Sequence, residues 1–218
     1  MSYTRPHDAL VLQTHDVGEA DRFCILFTRE AGRKAARAKG VRKLGSTMGG
    51  LLLPLRRVKV ELRDHGDASF ITSVIDADNA ARPSLAFRPF ARIAEGIELL
   101  LRLTEDDEPM PRVFDLLLEL RDACVAQLPE PVIPFQLRLL HLLGLLPMNI
   151  EDRRFAHLSG SSQIFLQSCV SGHALPVLCG LPADHKELKS FCTLLLHDHL
   201  TMPLRAGRVA EEMGANCC

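Results

Sequence analysis

"GRKAARAKGVRKLGST", residues 32–47, carries six Lys or Arg and no acid, and its reading decides what the first third of the chain is. As a strand, it puts Arg33, Ala35, Arg37, Lys39 and Val41 on one face and Lys34, Ala36 and Ala38 on the other. Three cations then line up on one side with small residues packing behind. As a helix, it scatters its charges round the axis and keeps no apolar stripe. The strand reading is the better one, although "RKAARAK" has high helix propensity.

Working outward, strand-like runs stand on both sides. "DALVLQT" (8–14) and "RFCILFT" (22–28) precede it, separated by the loop "HDVGEAD" (15–21). A turn at 29–32 leads into the basic stretch, and "VRKLGSTMGG" (41–50) reads as a basic loop with three glycines. "LLLPLRRVKVEL" (51–62) reads as a long fourth run that alternates polar and apolar from Arg57 to Leu62. "RDHGD" (63–67) is a hairpin turn centred on His65-Gly66, and "ASFITSVI" (68–75) is the fifth run. Five short strands in so short a span predict a small closed sheet such as the five-stranded OB barrel.

After Pro83 the period changes. Phe90, Ile93, Ala94, Ile97, Leu100 and Leu101 recur at helical spacing, and "TEDDEPMP" (104–111) breaks that helix. Pro111 opens a second helix with Phe114, Leu117, Leu118 and Leu120. Pro134 suits the first turn of a third, "FQLRLLHLLGLL" (135–146), which is apolar nearly all round and so belongs at the centre of a bundle. Residues 147–182 are rich in Ser, Gly and Pro and read as an irregular insert, with "QIFLQSCVSGHAL" (163–175) as a small hairpin. A fourth helix is expected over 186–200 and a short segment over 205–213. The fold class is therefore α+β: a barrel over 1–80, then a helical domain over 81–218.

Charge sharpens the functional reading. The chain has a formal charge of −1, but Arg22–Arg63 holds twelve Lys or Arg against Glu30 and Glu61. A field of that sign attracts polyanions even when the whole protein does not. The ordinary alternative is a solvated surface. Aromatic residues are sparse, with no Trp and one Tyr. Phe23, Phe27 and Phe70 are expected in the core, so binding should rest on phosphate contacts and fall steeply with salt. Arg33, Lys34, Arg37, Lys39, Arg42 and Lys43 are the candidate phosphate contacts, flanked by Arg56 and Arg57. Lys39 and Arg42 bracket Gly40, where the backbone can come close to a phosphate. Gly45, Gly49 and Gly50 are expected to leave the loop mobile.

Enzyme constellations are missing: no Walker loop, no GxGxxG after a strand, no GxSxG elbow. His157, Cys169, His173 and Cys179 lack the close cysteine pairs of structural zinc sites, and no metal or cofactor is expected. His197 and His199, two apart on a helix, point away from each other. "MSYTRPHDAL" has no signal-peptide core and no apolar run is long enough to span a membrane. Seven cysteines without an export signal fit a reducing cytoplasm.

The ordered elements "GEAD", "FTREAGR", "AKGVRK" with Ser46, and the Leu-rich run with Pro54 resemble the start of the RecO family of bacterial recombination mediators. "FQLRLLHLLG" (135–144) resembles its third helix and "MPLRAGRVAEEM" (202–213) its closing segment. The resemblance implies an OB barrel followed by a helical domain, sometimes with an inserted zinc module. It implies a non-enzymatic protein of the RecFOR pathway that binds single- and double-stranded DNA and anneals complementary strands. It also implies contacts with the single-stranded-DNA-binding protein and RecR, and help for RecA in loading at gaps. The family's four-cysteine pattern is reduced here to Cys169 and Cys179. The third helix resembles a region that takes the acidic tail of the single-stranded-DNA-binding protein. That likeness points to Phe135 and Arg138, with Pro134 where a basic residue is common. The basic loop on an OB barrel also leaves open an RNA-binding factor without an annealing role. A hydrolase or metalloenzyme assembled from the His/Cys-rich region 157–199 is a further alternative.

Overall fold

The computed structural model describes residues 6–66, 68–78, 87–147, 155–172, 174–178, 182–197 and 199. The chain divides into two compact units. One comprises Met1–Arg82 and Thr104–Asp115, the other Pro83–Leu103 and Leu116–Cys218. The acidic segment Thr104–Asp115, which the sequence places in the helical half, thus belongs to the first unit. Its carboxylates supply the physical reason, as shown below.

Five strands form the first unit: β1 His7–Val17, β2 Asp21–Thr28, β3 Gly32–Ala38, β4 Arg57–His65 and β5 Ala68–Asp76. They close into a barrel in the order β1-β2-β3-β5-β4, with β1 pairing both β2 and β4. Every pairing is antiparallel except β3 with β5. Alternation decides which side chains enter the interior. Ala9, Val11, Cys24, Leu26, Ala36, Ala38, Val58, Val60, Leu62 and Ile71 all point inward and pack together. Burial pushes the Cys24 thiol up to about 11, so it stays an inert core group.

The loop between β3 and β4 differs from expectation in two ways. "LLLPL" is not strand: β4 starts at Arg57, and residues 51–55 are turns. Pro54 lacks an N–H for a ladder, and Leu55 takes a left-handed φ of 70°. Nor is the loop a loose glycine tether. Val41 and Leu52 plug the barrel core, and Leu55 N–H donates to Val11 O at 2.8 Å. The Arg22 guanidinium donates to the carbonyls of Gly49 and Leu52 at 3.3 and 2.9 Å. Only the tip stands clear, where Leu44 is fully exposed.

The second unit holds most of the helices: α1 Phe87–Leu103, α2 Pro111–Val125 (which begins in the first unit), α3 Val132–Leu142, α4 Gly160–Ser171 and α5 Pro182–His197. Helix α3 is buried on nearly every side from Val132 to Leu140 and touches α1, α4 and α5, the central place its apolar surface requires. Gly96 lets α1 approach closely, since a Cβ there would lie 2.2 Å from Leu120 Cδ2 and 3.2 Å from the Phe135 ring. Helix α4 replaces the expected hairpin in the insert. Ser159 caps it by accepting from Ser162 N–H, and Glu187 accepts from the Ser159 and Ser162 hydroxyls. The serines that look like loop composition are a helix start. Only Ser162 and Cys169 of α4 are buried, so the helix shows little apolar periodicity. The expected segments at 205–213 and the C-terminal "GANCC" lie outside the described residues.

Gly32 is the tightest point of the barrel unit. Its φ is +65°, and a Cβ there would meet Glu108 O at 1.8 Å. Gly32→Ala is expected to cost at least about 2 kcal/mol, a fall of several degrees in the thermal midpoint. Gly18→Ala, with φ +59° and open space around it, should cost less than half as much. Equal midpoints for the two variants would contradict the close approach of Glu108.

Candidate nucleic-acid interface

Strand β3 folds as its alternation requires. Ala36 and Ala38 are inside, while Ala35, Arg37 and Lys39 are exposed. The cations do not form one open field, however. Carboxylates from elsewhere in the same unit reach most of them. Arg33 pairs with Asp106 and Lys34 with Asp107. Arg37 meets Asp21 at 2.7 Å, Arg42 meets Asp16 at 3.3 Å, and Arg57 meets Asp8 at 2.6 Å. Arg56 pairs with Asp76. Of the eight candidate residues, Lys39 and Lys43 have no carboxylate partner among the described residues. The count over Arg22–Arg63 overstates the local field, because it omits acids that only folding brings near.

These pairs still permit contact with DNA. An exposed ion pair is worth about 0–1 kcal/mol, so a phosphate can replace the carboxylate at small cost. The freed Asp then sits close to the phosphate, which reduces the net gain. The partnered cations therefore behave as latched contacts and Lys39 and Lys43 as open ones.

Two of these aspartates latch the cations nearest Lys39 and Lys43. Asp21 accepts Gly40 N–H at 2.7 Å and Arg37 Nε at 2.9 Å. The Gly40 hydrogen bond, followed by Arg37, holds its carboxyl below the ordinary 3.8. Asp16 accepts from Arg22 Nε at 2.9 Å and faces Arg42, and the Arg22 hydrogen bond lowers its pKa likewise. Asp21 thus fixes where Lys39 and Gly40 leave β3, and Gly40 turns there with φ +65°.

The outer face of the barrel carries a row that the sequence reading did not anticipate. Register pairs His15 with Phe23, Phe23 with Arg37, Arg37 with Phe70, and Phe70 with Arg63. Residues paired across strands share a face, so aromatic and basic side chains alternate over roughly 19 Å of sheet. Phe27 is fully buried, but Phe23 and Phe70 are half-buried and lie outside the barrel core. The expectation that all three phenylalanines are core is corrected at these two. Lys39 Nζ sits 4.4 Å above the centroid of Phe70, a cation–π contact worth about 0.5–1 kcal/mol where exposed. Arg63 is exposed and makes no ion pair among the described residues. The alternation of "RVKVELR" signals its outward direction, but only the register shows that it stands beside Phe70.

The candidate partner contacts on α3 lie elsewhere. Phe135 is fully buried and Arg138 is 6% exposed. Arg138 donates to Cys169 O and Ala174 O at 2.7 Å each, and to Glu119 at 3.2 Å. Both are framework residues of the helical unit, which corrects the expectation that they form a docking surface. A helix apolar all round buries its lone arginine wherever carbonyls and a carboxylate can satisfy it. Among the described residues no cluster of His, Cys, Asp or Glu could hold a metal ion. Cys169 is buried with its thiol pushed up to about 12, while His173 and Cys179 lie outside the described residues. No helix among the described residues is long and apolar enough to cross a membrane.

Residues 1–79 match the family model described as "Recombination protein O N terminal". A DNA repair protein RecO from Myxococcus xanthus (strain DK1622) is 37% identical over 146 residues, covering 64% of this chain and 59% of that protein. A DNA repair protein RecO from Anaeromyxobacter sp. (strain K) is 33% identical over 243 residues, covering 94% of this chain and 95% of the relative.

The Asp21 latch has a pH signature. A carboxyl lowered in the folded state contributes fully above its unfolded value and is lost as pH falls through its folded value. The Asp21 tether is expected to hold throughout the neutral range and to release only below about pH 4. The carboxyl carbon signal of Asp21 should titrate below 3.8, and Arg37→Ala should move its midpoint upward. A midpoint that Arg37→Ala leaves in place would contradict the pairing.

Proposed function

Because the chain belongs to the RecO family of DNA repair proteins, we propose that it acts without catalysis as a recombination mediator. In this reading it binds single- and double-stranded DNA through the barrel and anneals complementary strands. The observation that carries it is the open pair Lys39 and Lys43, which leaves β3 beside the latched cations Arg37 and Arg42. Arg33, Lys34, Arg56 and Arg57, each held by an aspartate, are secondary candidate contacts in this reading.

Annealing requires that phosphate repulsion between two strands be lowered while base edges stay free to pair. Lysine and arginine on a convex barrel face meet that requirement, since they hold backbones and leave the base edges free. Contacts with the single-stranded-DNA-binding protein and RecR, and assistance to RecA loading, complete the proposal. They rest on the family likeness alone.

Salt dependence measured by fluorescence anisotropy tests the DNA surface. With about three or four phosphates engaged, log K on a single strand should fall against log salt with a slope near −2 to −3. The Lys39→Ala/Arg42→Ala/Lys43→Ala variant should bind more weakly and show a slope shallower by about 2. Identical curves for the variant and the wild-type protein would place DNA elsewhere. Tighter binding of a matched RNA than of the DNA would favour an RNA-binding role instead.

A further inference from the structure

We propose that Phe70 is a base-stacking platform that gives the barrel a contact only unpaired bases can make, so that this face distinguishes single strands from duplex. The inference rests on the DNA-binding reading above and names which part of the ligand this face takes. Phe70 points outward, since its neighbour Ile71 is 4% exposed and packs in the barrel core. Its ring is half-buried, with the Lys39 ammonium over it.

The surroundings of the ring identify the occupant. Arg37 flanks it on β3 and Arg63 on β4, so a cation stands on either side of Phe70 along the row. An apolar protein partner would leave Arg63 without a counterpart, whereas Arg37 is latched to Asp21 and can exchange that carboxylate for a phosphate. A nucleotide satisfies both features at once, its base on the ring and its phosphates on the arginines. In the free protein Lys39 covers the ring with its ammonium group 4.4 Å from the centroid. A stacked base binds an aromatic face more strongly than an exposed ammonium does. Lys39 therefore swings off the ring when a base arrives and becomes one of the phosphate contacts. In a duplex the base faces are already stacked on one another, so Phe70 gains nothing there and only the cations act. Phe23, between His15 and Arg37 on the same row, is the second position where a base can lie.

Two variants of Phe70 test this on the full chain, with an oligothymidylate and a duplex of equal length as probes. Phe70→Leu keeps an apolar side chain at the position. It should weaken single-strand binding about fivefold or more at every salt concentration, leave the salt slope unchanged, and change duplex binding less than about twofold. Phe70→Trp introduces the protein's only tryptophan, because the chain has none. Its fluorescence should be quenched by the single strand and stay unchanged with duplex. Equal losses on both probes for Phe70→Leu, or no loss on the single strand, would overturn the stacking role. So would tryptophan fluorescence in Phe70→Trp that both probes quench alike. A Lys39→Ala/Lys43→Ala variant separates the two levels of the account. If it leaves affinity and slope unchanged on both probes, the phosphate surface itself lies elsewhere. If it shallows both slopes while Phe70→Leu does nothing, the surface stands and the stacking role falls.

Discussion

The barrel closes on a narrow interior, and where β3 crosses it there is room for Ala36 and Ala38 and little else. Those two alanines set the direction of every other residue in the strand. Arg37 lies between them and must face outward, and Lys39 follows on the same side before Gly40 turns the chain. A larger inward residue would overpack the core, and a one-residue slip would drive Arg37 into it. The same interior accepts Val41 and Leu52 from the following loop, which anchors the loop on both sides of its exposed tip. The geometry of the cationic face is thus a consequence of how the core is filled.

Charge on that face is moderated by the fold. Asp8, Asp16, Asp21, Asp76, Asp106 and Asp107 come from four separate stretches of the chain, yet all six meet basic residues of the 33–57 region. The pairs cost little to open. They keep the free protein close to neutral on this surface, and they hold Arg37 and Arg42 in place beside the open Lys39 and Lys43. In the proposed annealing role, contacts that exchange one partner for another ease the release of paired strands. A bare polycation would hold its product.

Local pattern made much of the architecture legible before any coordinates. The period of two in β3 and β4, and the switch to helical spacing after Pro83, required only neighbouring residues. So did the near-complete apolar surface of α3. What pattern could not convey depends on residues far apart in sequence. Twelve basic residues in forty-two look like an open field until Asp106 and Asp107 fold back against Arg33 and Lys34. Phe70 reads as core because strand propensity is the same for inward and outward phenylalanines. The register with Arg37 and Arg63 is what places it outside. Arg138 reads as a surface cation because the carbonyls that satisfy it belong to Cys169 and Ala174, more than thirty residues later. Helix α4 was hidden by composition, since the serines that begin it also suit a loop.

Mapping by amide chemical shifts during a titration with an oligothymidylate would test the central claim most directly, because it reports location without a mutation. The account predicts that the perturbed amides cluster on β3, the 39–50 loop and the outward positions Phe23, Arg63 and Phe70, while those of α5 stay in place. Perturbations confined to the helical unit, with the barrel face silent, would contradict it.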